Sequence, residues 1–292
     1  MKKLFIALFA FLWAPLAFAV APYLSGDKLA GGDLKAVTSA VEKKLQAEGF
    51  EVVGQHAPKG LPGYASVIVT DKGILDAIKA TGGQTIVGAG IRVGVKADGS
   101  VSYMNPEYWY RAYFRKQYGS AEGAVKAVQA KLAKALGAGK GFGGDVTADD
   151  LPNYRYMFGM ERFDADKNEL KTHASFEAAV KAIQDNLAKG VGNTAKVYEI
   201  VMADKKLAVF GVALNDPKTG EGWWVNKTGP EHIAALPYEI YVIGNKTGAM
   251  FGRYRIALAW PSLGMGTFMT IADGPDLIQE TLAHVTGGTY ER

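Results

Sequence analysis

Two segments of this chain follow one design, and that duplication limits the folds open to it. Asp33 to Gly49, DLKAVTSAVEKKLQAEG, places Leu34, Val37, Val41 and Leu45 at helical spacing with charge on the opposite face. Asp33 stands at the N-cap and Gly49 where a helix ends in the left-handed conformation. Ser175 to Gly190, SFEAAVKAIQDNLAKG, repeats the plan, with Ser175 as cap, Phe176, Val180, Ile183 and Leu187 as stripe, and Gly190 as stop. Each helix feeds β-rich segments: FEVVGQ and YASVIVT after the first, AKVYEIVMADKKLAVFGVAL after the second.

Later parts correspond as well. SVIVTDKG, a helical connector (ILDAIKA) and GIRVGVKADGSVSYMN in the first half match EIYVIGNKTG, a shorter linker and RYRIALAWPSLGMGTFMTI in the second, and both read as strand, Gly-bearing turn, connector, strand, turn, strand. Asp98-Gly99 between alternating apolar residues predicts a type I′ hairpin. SAEGAVKAVQAKLAKAL reads as a helix striped by Val125, Val128, Leu132 and Leu136, and GAGKGFGGD after it as a flexible boundary. PNYRYMFGMERF reads as a strand through Tyr154, Tyr156 and Phe158, and a last helix begins near Asp273. The expectation is an α+β fold of two similar modules, each a mixed or antiparallel sheet packed with helices. Residues 20–137 form the first module, 138–150 a Gly-rich linker and 151–292 the second.

The N-terminus carries an export leader, residues 1–19. Lys2 and Lys3 precede an apolar run from Leu4 to Leu16, and Ala17-Phe18-Ala19 fits a small-x-small cleavage site. The run is short for a membrane helix of about 20 residues, so the expectation is cleavage and a periplasmic protein with no membrane span. The chain has 33 Lys and Arg against 29 Asp and Glu, which gives no electrostatic footprint for nucleic acid. With no cysteine, disulfides, thiol nucleophiles, Cys-ligated zinc and iron–sulfur clusters are all excluded.

NPEYWYRAYFRKQYG, residues 105 to 119, looks most like a site. Asn105 suits an N-cap, Pro106 the first helical position, and Glu107 the positive end of the helix dipole. Trp109, Tyr110, Tyr113 and Phe114 share one face, which favours a core role, while Tyr108, Arg111 and Tyr118 fall on the other side and could meet an anionic or planar ligand. Here the chain resembles the domain of unknown function family 302, through Asp98, Gly99, Tyr103, Asn105, Pro106 and Tyr108 in residues 64–118. A weaker likeness runs through VIGNKTG and RIALAW. That resemblance implies a tandem of compact α+β domains, a family often found as dimers, and no agreed activity.

Other motifs exclude more than they assign. The glycines of TIVGAGIRVGV continue into strand, not into the helix a dinucleotide loop requires. DADKNEL offers Asp164, Asp166 and Asn168 but lacks the glycine and glutamate of a calcium loop. The four histidines lack ligand spacing, so no metal or other cofactor is expected. Met157/Met160 and Met265/Met269 could hold copper(I), but their apolar, strand-like runs favour core filling. No nucleophile elbow or His-Glu-x-x-His pair is present. The leading reading is a non-catalytic binder of a small molecule or partner protein. Its candidate ligand-binding residues are Tyr103, Asn105, Tyr108 and Arg111 in the first module and Asn245, Arg253, Arg255 and Trp260 in the second, with Trp223 and Trp224 in a partly exposed loop. The alternatives are a thiol-independent enzyme in which Tyr103, His56 and a carboxylate converge, and a structural envelope protein that forms a homodimer.

Overall fold

The computed structural model describes residues 18–291, and the leader, apart from Phe18 and Ala19, lies outside the described residues. The first half runs β1 (Ala19–Val20), β2 (Tyr23–Ser25), α1 (Leu34–Ala47), β3 (Glu51–His56), β4 (Tyr64–Thr70), α2 (Lys72–Thr81), β5 (Ile91–Lys96), β6 (Val101–Met104), α3 (Pro106–Phe114) and α4 (Tyr118–Leu136). Two short strands, β7 (Gly141–Phe142) and β8 (Val146–Thr147), follow. The second half runs β9 (Glu169–Thr172), α5 (Phe176–Ala188), β10 (Thr194–Met202), β11 (Leu207–Leu214), α6 (Glu221–Thr228), β12 (Tyr238–Ile243) and β13 (Lys246–Gly248). It closes with α7 (Gly252–Ala259), α8 (Met265–Met269) and α9 (Gly274–Val285).

Among the described residues the fold is α+β, with helices laid on antiparallel sheets. One sheet has the order β3-β4-β5-β6-β2-β7, the other β10-β11-β12-β13-β9, and β1 pairs with β8. Beginning at β2 and at β9, the chain runs through the same order of elements in both halves: strand, helix, two strands, helix, two strands, helix. α1 lies against β4 and β5, and α5 against β10 and β12. The sheet faces meet through exchanged turns. A 3-10 turn at Gly83–Ala89 packs on β11 and β12, and another at Pro230–Ala235 packs on β4, β5 and β6. A single apolar core runs through both halves without a break.

Local chemistry explains most of the elements. Asp71 caps α2, its carboxylate accepting from the N–H groups of Gly73 and Ile74, and Ser175 Oγ accepts from Ala178 N–H at the start of α5. Asn105 caps α3 by accepting from Glu107 N–H, with Pro106 at the first helical position. Asp33 holds the N-cap position of α1 without a side-chain bond. Close approach, not a phosphate, accounts for the glycines near β5: a Cβ on Gly94 would stand 2.5 Å from Ile233 Cγ2 of the other half.

Five expectations need correction. The Asp98-Gly99 hairpin forms, but Gly99 alone is left-handed (φ 87°) and its N–H bonds Lys96 O, so the loop is a three-residue type with a closing glycine. PNYRYMFGMERF is not a strand. Leu151–Asn153 is a 3-10 turn around Pro152, and the residues after it form a loop whose alternation comes from Tyr154 and Tyr156 packing on Tyr254 and Phe268. RIALAW and GMGTFM are not strands but parts of α7 and α8; α7 is buried on nearly every face, which leaves no amphipathic period to read. The correspondence between halves is therefore shifted. EIYVIGNKTG supplies the β12–β13 hairpin, opposite number of β5–β6, and α7 stands where α3 stands in the first half. GAGKGFGGD, read as flexible, contributes β7 to the edge of the first sheet.

Candidate functional site

Three of the four first-half candidates are buried and bonded within the fold. Tyr103 is buried with its hydroxyl donating to Gly137 O, and Asn105 is spent on capping α3 and on donating to Ala21 O. Tyr108, expected on the open side of its helix, is fully buried and donates to Leu258 O across the halves. Arg111 remains partly exposed, paired with Glu107 and stacked on Tyr118 at 4.4 Å. In the second half Asn245 is exposed in the β12–β13 turn and bonds His173 O. Of the two tryptophans expected to be partly exposed in a loop, Trp224 is fully buried in α6, while Trp223 is half-buried under Lys227.

Arg253 and Trp260 do come together. They help line a pocket of about 230 Å³ between the 154–165 loop, α7 and α8. Its floor is Tyr254, Ile256, Ala257 and Trp260, all buried, and its rim is Tyr156, Met157, Met160, Leu263, Met265 and Phe268. Pro261 follows Trp260 and cannot extend α7, so the chain turns back through α8 and closes one wall. Tyr156 and Phe268, ring centroids 6.5 Å apart, brace the loop against that helix. One ion pair completes the lining, with Arg253 Nη2 2.7 Å from Glu161 Oε1. Burial would raise the Glu161 pKa, but hydrogen bonds from Arg253 and Lys167 outweigh it and hold the carboxyl below its ordinary range. The pair is thus charged and internally neutral. All lining residues belong to the second half.

Arg255 is not part of this lining. It lies fully buried between the sheets in a cluster with Arg92 and Glu239. Glu239 Oε1 accepts from Arg92 Nη1 at 2.6 Å, and Oε2 from Arg255 Nε at 3.2 Å. The backbone oxygens of Ala234 and Ala235 take further guanidinium protons, and both guanidiniums lie over the Trp109 ring. Burial would lower the Arg255 pKa, yet Glu239 and the flanking tyrosines overcome it and hold the group above its ordinary value. Beside the cluster, hydroxyls of Tyr154, Tyr108 and Tyr23 donate to Ala257, Leu258 and Ala259 O, satisfying carbonyls at the end of α7. Burial pushes all three phenols well above their usual range, so they stay protonated as donors.

Of the three groups that an enzyme reading names, two meet and the third bonds elsewhere. Tyr103 donates to Gly137 O, and His56 meets the carboxylate of Glu221 at 2.6 Å, both buried. That contact ties β3 of the first half to α6 of the second, and neither residue lines the apolar pocket. Among the described residues no group of three or more His, Cys, Asp or Glu could hold a metal ion, and no helix is long and apolar enough to cross a membrane. In DADKNEL, Asp164 pairs with Arg115, and Asn168 is buried between Phe163 O and Phe251 N–H. No protein-family model, curated protein or solved structure matches the chain.

The methionine expectation is corrected too. Met157 and Met265 are 48% and 47% exposed, and neither pair lies in a strand. Sequence reasoning missed the pocket because its rim joins segments about a hundred residues apart, and it missed the Arg92–Glu239 contact. One signal for the latter was present: a charged residue at the second position of two strands whose next three residues are all uncharged, IRVGVK and YEIYVI.

Proposed function

We propose that this chain is an exported, non-catalytic binding protein that holds a small, mainly apolar molecule in the pocket between α7, α8 and the 154–165 loop. The pocket carries the reading. Its 230 Å³ exceeds the ~150 Å³ of a dry cavity that admits benzene and falls short of the ~300–1,000 Å³ of drug-sized sites. A one- or two-ring compound, or a short acyl chain, matches that size. Aromatic and thioether walls supply the contact area, and the neutral Arg253–Glu161 pair gives one polar edge for orientation. Export is supported by the leader pattern of residues 1–19. The resemblance to family 302 adds no activity.

The test is a ligand-observed NMR screen of one- and two-ring aromatic compounds against the mature protein and its Leu263→Trp variant. Leu263 is a half-buried rim residue, so a larger side chain there fills the pocket without entering the core. Binding by the parent and its loss in a folded Leu263→Trp protein is the expected result. Binding by neither, or equally by both, contradicts the assignment.

A further inference from the structure

We propose that Met157, Met160 and Met265 form a thioether site for a soft monovalent cation, Cu(I) or its redox-inert analogue Ag(I), at the rim of the apolar pocket. The chain has eight methionines, and those described fall into two sets. Met104, Met202 and Met250 are buried in the core. Met157, Met160, Met265 and Met269 are not, and the first three line one pocket although they come from two distant segments.

Burial does not explain the second set. A thioether left half in water contributes little to folding, and Leu or Ile would close an apolar pocket as well. What methionine adds is a soft sulfur on a side chain with three rotatable bonds, able to converge on an ion without moving the backbone. The supports are in place. A turn closed by Met160 N–H on Met157 O at 3.2 Å presents two thioethers, α8 presents the third, and the Tyr156–Phe268 contact holds the turn to that helix.

The surroundings suit a soft monovalent ion. Tyr156, Tyr254, Trp260 and Phe268 line the same pocket, and the face of an aromatic ring attracts cations. Glu161 pairs with Arg253, so the one cation in the lining does not stand alone. The lining holds no histidine, and its one carboxylate is engaged, which gives Zn(II) and Ca(II) none of the donors they need.

This site goes beyond the reading of an apolar ligand and does not rest on it. The experiment is titration of mature protein, labelled with ¹³C at the methionine methyls, with silver nitrate in chloride-free buffer. Methyl signals of Met157, Met160 and Met265 should shift and saturate at one equivalent, while those of Met104, Met202 and Met250 stay fixed. Met→Leu at each of the three positions, a near-isosteric change, should weaken Ag(I) by at least the ~10-fold that even outer partners of metal ligands contribute. Zn(II) should shift none of them. Unshifted rim methyls, or Ag(I) affinity unchanged in all three variants, overturns the site. Ring binding without Ag(I) binding sinks this inference and spares the proposed function; Ag(I) binding without ring binding does the reverse.

Discussion

Replacing Glu239 by Gln tests how the two halves are held. The side chain keeps its size and loses its charge, so two fully buried guanidiniums, those of Arg92 and Arg255, lose their shared counter-ion at once. Removing one partner of a buried pair costs about 3–5 kcal/mol, chiefly because the remaining charge is desolvated and uncompensated. With two cations left on one amide, the loss belongs in the upper part of that range. No water-exposed surface softens it, since all three side chains have no accessible area. At about 2–4 °C per kcal/mol for domains of 150–250 residues, the melting temperature should fall by roughly 8–20 °C. Urea unfolding followed by tryptophan fluorescence, with calorimetry as a second probe, measures it. A loss below about 1 kcal/mol, the range of solvent-exposed pairs, would refute the view that this cluster is dry and joins β5 to β12 and α7.

Three further outcomes follow from the same interface. Tyr108→Phe leaves Leu258 O without its donor and should cost about 1–3 kcal/mol by chemical denaturation; no loss would mean that water replaces the hydroxyl. Gly94→Ala pushes a methyl against Ile233 and Ser102, so stability should drop by about 1–3 kcal/mol from overpacking, and a neutral result would show that the turn carrying Ile233 yields. Burial lowers the His232 pKa, and the opposing pull of Glu231 and the Gly229 carbonyl does not undo it; Lys96 adds to the lowering. The unfolded chain then binds the proton more readily, so the His232 contribution is intact above the ordinary imidazole value of about 6.5 and is lost as pH falls below it. His232→Gln should flatten stability against pH in that window, and an unchanged profile would refute the assignment.

How much of this was readable beforehand depended on whether the information was local. Caps, stripes and stops are local, so α1, α3, α4 and α5 and the Gly99 hairpin could be drawn from the sequence. In α3 the buried set Trp109, Tyr110, Tyr113 and Phe114 matched the helical wheel. Tyr108 did not, because the second half covers the face that an isolated helix would show to water. α7 was illegible for the same reason: with almost every side chain enclosed, Tyr254, Ile256, Leu258 and Trp260 alternate like a strand. That misreading misaligned the segments matched between the two halves and hid the wall of the pocket. Arg253 and Trp260 reach the pocket, while Arg255, two residues from Arg253, turns inward to Glu239, and no pattern in one chain distinguishes those two directions.

Native mass spectrometry is the most direct measurement of the central claim, that the pocket bounded by Trp260, Phe268 and Met160 holds a ligand. Protein should be recovered from cells that express the full chain, without refolding, alongside Leu263→Trp prepared identically. The account predicts an added small mass on the parent that collisional activation releases and that the variant lacks. A parent that flies bare, or an adduct that survives Leu263→Trp unchanged, would contradict it.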